Sequence, residues 1–203
     1  MKSLSEIETV SKRSTKAAGF SWGIAEEVGK NIRILEMFGV SGIKNLNYYY
    51  RVLKKKKFEK LSLISDNNKT TKLEFCPIIT GVSFLDQVRT LESFEKIKFE
   101  KIAYPLLFLP FISRASEIIG KKLELKIDNK IFLLNYNNSI YSNSINNGVI
   151  EIGNEVLIKF HKNKDSFEEN EWIELYKLSE NTFVEESESL KKDGAGAGLT
   201  DND

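Results

Sequence analysis

The chain has 203 residues, 41% hydrophobic and 29% charged, with a formal net charge of +1. These values fit one folded domain or two small ones, and they exclude wholesale disorder. A single cysteine rules out an intrachain disulfide, a single histidine rules out multi-histidine metal centres, and the balanced charge leaves no global footprint for nucleic acid.

In chain order, Ser3 and Glu6 fit a capping box, which starts a helix near Leu4. Leu4, Ile7, Val10 and Ser14 follow its helical spacing, and Gly19 ends it. Ser21 caps a second helix from Trp22 to about Phe38, whose apolar stripe is Ala25, Val28, Ile32 and Leu35. Residues 45–52 (NLNYYYRV) read as a further helix. Lys54, Lys55, Lys56 and Lys57, followed by Glu59, read as a solvated edge.

The alternation in 58–65 (FEKLSLIS) predicts a half-buried strand that turns at 66–69 (DNNK) and returns over 71–75. An amphipathic helix is expected over about 82–91. Residues 94–102 alternate again, and a buried helix follows over 111–119, closed by Gly120. Hairpins are expected at Asp128-Asn129, joining 123–127 to 131–134, and at Gly153-Asn154, joining 149–152 to 155–160. Residues 171–177 read as helix or strand, and 182–185 as a short last strand.

The expected fold class is α+β: an N-terminal helical hairpin (3–39) and a body (45–185) with a mostly antiparallel sheet built from hairpins, plus two or three further helices. Residues 1–193 are expected to form one domain, followed by a Gly-rich tail over 194–203. The first ten residues lack an apolar core of signal-peptide length, and Pro105 and Pro110 interrupt the most apolar stretch. A cytoplasmic protein that neither binds nucleic acid nor enters a membrane is therefore expected.

Three groups of residues carry candidate chemistry. Glu26, Lys30 and Arg33 share one helix side by their spacing of four and three. Trp22 at the first turn suits either a packed helix entry or an aromatic wall of a pocket. Arg114 stands on an otherwise apolar helix, where a guanidinium can fork onto a substrate carboxylate, snorkel, or pair with Glu117 or another acid such as Asp86. Glu26, Lys30 and Arg114 are the candidate catalytic groups, because a desolvated carboxylate and amine can exchange protons.

The tail GAGAGLTDND adds Gly194, Gly196, Gly198, Thr200, Asp201, Asn202 and Asp203 as candidate ligand-binding residues. Its glycine amides could cradle an anion, and its carboxylates could hold a hard cation. It lacks both EF-hand and P-loop spacing, so no metal site is assigned and no cofactor is named. Cys76 has only His161 as a potential base and reads as a buried small residue, with His161 on the surface.

Residues 16–30 (KAAGFSWGIAEEVGK) and the terminal GAGAGLTDND, with weaker support from CPIITG (76–81) and YPLLFLPFISRAS (104–116), carry a family resemblance. The chain resembles a bacterial family of uncharacterised proteins, a domain of unknown function common in alphaproteobacteria, with a WGxAEEVGK-type motif near its start. That family has a KAARGAG-like string before the tryptophan, where this chain has STKAAG (14–19). The resemblance implies no activity, so no residue role is carried over.

Two functions remain open at this level. One is a small-molecule site, or an acid–base enzyme, formed by the 22–33 helix and the tail. The other is an accessory protein whose tail inserts into a partner protein.

Overall fold

The computed structural model describes residues 2–135, 139–143 and 148–183. They fall into two compact units, 1–163 and a second that begins at Lys164. The candidate tail residues Gly194, Gly196, Gly198, Thr200, Asp201, Asn202 and Asp203 lie outside the described residues, as do 184–185 of the expected last strand.

The first unit opens with α1 (Leu4–Ala17) and α2 (Trp22–Met37), the expected helical hairpin. Ser3 Oγ accepts the Glu6 N–H at 3.1 Å and Ser21 Oγ accepts the Ile24 N–H at 3.4 Å, so both N-termini are capped by the predicted residues. Ala25, Val28, Ile32 and Leu35 are all buried, as their spacing requires. The stripe expected on α1 is not the buried one. Val10 is 60% exposed, and Ser11 and Thr15 are buried instead. Thr15 Oγ1 donates to the Ser11 carbonyl at 2.7 Å, which satisfies the hydroxyl within the interface.

The third helix, α3 (Gly42–Leu53), confirms the helical reading of NLNYYYRV. The predicted strand pair after it is absent. Residues 58–65 and 71–75 are joined by the isolated bridge Glu59–Phe75 and by Thr71, whose amide and hydroxyl donate to the Glu59 carboxylate, and not by a strand ladder. The segment expected to be a turn instead holds β1 (Asn67–Asn68). Asn68 explains this: its buried amide bonds the Ser65 amide and carbonyl and the Lys98 carbonyl, pinning the segment to the sheet.

Then come α4 (Pro77–Leu91), β2 (Lys96–Phe99), β3 (Ile102–Ala103), a 3-10 turn (Pro105–Leu107) and α5 (Leu109–Ile119). The fourth helix starts five residues before expectation because Cys76 caps it and proline fits its first position. Gly120, at φ 62°, closes α5 in the left-handed conformation.

The hairpin β4 (Leu123–Ile127) and β5 (Lys130–Asn135) forms as predicted, followed by β6 (Ser139–Ser142). The second predicted hairpin does not form. The short β7 (Ile152–Gly153) pairs with β3, whereas β8 (Val156–Phe160) inserts between β2 and β4. The sheet order is β1-β2-β8-β4-β5-β6, antiparallel except for the β1–β2 pair. Alternate residues of β2, β4 and β8 are buried, and α5 packs on β4 and β5. The fold is therefore α+β, with helices on one face of a mostly antiparallel sheet.

In the second unit, α6 (Glu169–Glu180) carries a capping box between Glu168 and Glu171. None of its residues is buried. Thr182 and Phe183 form no strand. No helix among the described residues is long and apolar enough to cross a membrane.

A charged cleft between three helices as candidate functional site

The position of the candidate site depends on how closely α1 approaches α2. A Cβ on Gly29 would lie 2.8 Å from the Glu8 carbonyl oxygen and 3.1 Å from the Lys12 Cβ. Only a glycine allows that spacing, and it brings the charged rims of the two helices into register. Arg33 Nη1 then reaches Glu8 Oε2 at 3.2 Å, and Lys12 Nζ reaches Glu26 Oε2 at 3.2 Å.

The fifth helix closes the arrangement. Arg114 is bonded to Glu27 of α2, and its Nη1 lies 3.5 Å from Asn31 Oδ1. The bonded acid, Glu27, comes from another helix. The neighbour that matters comes from α2, which packs across α5. Lys30 Nζ lies 3.4 Å from both Glu26 Oε1 and Glu27 Oε1, which links the surface pair to the Arg114 pair.

Between these helices lies a cleft of about 290 Å³, lined by Glu8, Lys30, Arg33, Ile34, Arg114 and Glu117. Three predicted residues, Lys30, Arg33 and Arg114, converge there. Two others stand apart. Glu26 flanks the cleft through Lys30, and Trp22 is 57% exposed at the start of α2, with Lys16 Nζ 5.5 Å from its ring centroid.

The charges differ in burial. The Arg114 and Glu27 side chains are 22% and 25% exposed, and those of Lys30 and Arg33 are 43% and 50% exposed. Hydrogen bonding from Lys12, and then from Lys30, holds the Glu26 carboxyl below the usual carboxylate range. Asn31 is buried at 2% exposure, and its Nδ2 has no hydrogen-bond partner among the described groups. A buried amide in that state costs about 1–3 kcal/mol.

Glu8, Asn31 and the Glu27–Arg114 pairing escaped the sequence reading. Asn31 follows Glu27 by four on α2, and Gly29 between them signals a close helix contact. Only the packing of α5 reveals what they face.

Residues 2–75 match the family described as "Protein of unknown function (DUF3726)". The matched segment, just over a third of the chain, is thus similar to a domain of unknown function. It takes in α1, α2 and α3, and with them Glu8, Glu26, Glu27, Lys30, Asn31 and Arg33; Arg114 and the terminal motif lie beyond it. No curated protein and no solved structure matches the chain.

Proposed function

We propose that the cleft between α1, α2 and α5 binds a small polar molecule bearing a carboxylate or phosphate group. The observation that carries this reading is the convergence of three cationic side chains, Lys30, Arg33 and Arg114, on one cleft. Arginine suits a planar anion, because its fork donates two parallel hydrogen bonds.

The same ion pairs also join the three helices, so ligand binding would exchange a carboxylate partner for a ligand one. The acid–base reading of Glu26 and Lys30 has less support. A general base works best with a pKa near the operating pH, and the lysines beside Glu26 keep it charged. The reading in which the tail inserts into a partner rests wholly on residues outside those described.

The test is calorimetric titration with succinate, glutamate and inorganic phosphate. The wild type is compared with Lys30→Gln and Arg114→Gln. Saturable binding of one probe, weakened about tenfold or more in both variants, is expected from losing one charge-assisted contact. Lys30 is exposed enough for its variant to fold even if Arg114→Gln does not. Absence of saturable binding by all three probes, or equal affinity in wild type and variants, overturns the proposal. Deleting 194–203 tests the tail separately: an unchanged affinity removes the tail from the site and leaves the cleft in place.

A further inference from the structure

A second cavity, of about 330 Å³, opens between the C-terminal part of α3, residues 56–60 and the first turn of α4. None of its lining residues lines the α1–α2–α5 cleft. Its walls are Phe20, Leu53, Phe58 and Ile79, and Tyr49 and Cys76 lie at its buried side. Tyr49 and Phe58 have ring centroids 5.2 Å apart, which forms one continuous aromatic surface.

The cations around this cavity are not equivalent. Lys56 is neutralised, with Nζ 2.6 Å from Glu74 Oε2, and it also lies 5.6 Å from the Phe58 ring centroid. Lys57 and Lys60 make no ion pair among the described residues. They leave two positive charges on an apolar cavity, and the α4 N-terminus adds a positive dipole end.

The buried side carries no compensating charge. The Tyr49 hydroxyl and Cys76 Sγ lie 3.0 Å apart, and the Ile79 N–H donates to the same sulfur at 3.4 Å. Burial pushes both the phenol and the thiol up, so each keeps its proton. A guest would therefore place its apolar body inward and its negative charge outward, against Lys57 and Lys60.

We propose that this cavity binds a small amphipathic carboxylate, with an aromatic or short aliphatic body on Phe20, Tyr49 and Phe58 and its carboxylate between Lys57 and Lys60. Apolar enclosure with a few convergent polar groups is the usual construction of a small-molecule site. The run 54–57 gives an internal control, because Lys54 and Lys55 do not line the cavity.

Calorimetric titration of the full chain with 2-naphthoate and with decanoate tests this, and 2-naphthamide serves as the uncharged match. One of the two carboxylates is expected to bind with one-to-one stoichiometry. The Lys57→Gln/Lys60→Gln double variant should weaken it about tenfold or more, the effect of removing charge-assisted contacts. Lys54→Gln/Lys55→Gln should leave the affinity within about twofold, as expected for charges outside the contact. The amide should bind no more tightly than the carboxylate binds to the Lys57/Lys60 variant. The proposal is overturned if neither carboxylate saturates, or if the two double variants weaken binding equally. It is also overturned if the amide binds as tightly as the acid. Lys30→Gln should leave this binding unchanged, so its outcome is separate from that of the first cleft.

Discussion

Glu26 carries its charge between Lys12 of one helix and Lys30 of its own, and both favour the ionised carboxyl. Its folded pKa therefore lies below the ordinary value of 4.5. The stabilisation is fully present above the unfolded pKa and is lost as pH falls through the folded one. Comparing the urea midpoints of wild type and Glu26→Gln should show a gap at neutral pH that closes in acid. Raising the salt concentration should narrow it, because the pair is solvent-exposed. A gap that widens in acid would reverse the assigned sign. Arg114 acts in a drier setting. Arg114→Met leaves Glu27 without its principal partner and should cost about 1–3 kcal/mol, the penalty for an uncompensated, partly buried charge. Adding Glu27→Gln should recover part of that loss in a double-mutant cycle; strict additivity would show that the pair is not coupled.

At the scale of elements, glycines set the helix spacings. A Cβ on Gly81 would lie 2.2 Å from the Phe111 ring, and one on Gly29 would meet backbone of α1. Gly81→Ala and Gly29→Ala should each destabilise the fold by about 1–3 kcal/mol through overpacking. Gly23 has nothing within 4 Å, so Gly23→Ala should be neutral or gain up to about 1 kcal/mol from helix propensity. Thermal or urea unfolding of the three variants checks the order, and a destabilising Gly23→Ala would contradict it.

These contacts also explain what sequence could and could not reveal. Ser3, Ser21 and the α2 stripe were legible because capping and helical burial are local. The Asp128-Asn129 turn was legible for the same reason: Asp128 adopts φ 52°, a conformation that Asp tolerates in turns. FEKLSLIS misled, because alternation shows that a strand is compatible but not that a partner exists. The sheet edge beside β2 was instead taken by Asn67 and Asn68, whose composition signals a turn. Likewise β8 abandoned its neighbour in sequence for β2 and β4, a long-range choice with no local mark. The site divides in the same way. Spacing placed Lys30 and Arg33 together, whereas Glu8, Asn31 and Arg114 joined them only through helix packing.

For the molecule as a whole, the described residues of the two compact units differ in how much they bury. The 1–163 unit contains the hydrophobic core, whereas the described helix of the second exposes Trp172, Leu175, Tyr176 and Leu178 at 51–66%. A helix of 12 residues with no buried side chain is marginal in water. Among the lysines of the described residues, brief trypsin treatment should cut first at Lys164 or Lys177 and leave a resistant fragment spanning the first unit, as read by mass spectrometry. First cuts within the sheet strands would refute this ordering. The buried thiol of the first unit has another use. Cys76 is the chain's sole sulfhydryl, 4% exposed and held against Tyr49. A thiol reagent reaches it through the cavity between α3 and α4, whose buried side it lines. Its labelling rate in native buffer is thus a built-in gauge of access to that cavity, slowed by any guest seated there, needing no engineered probe and no denaturant.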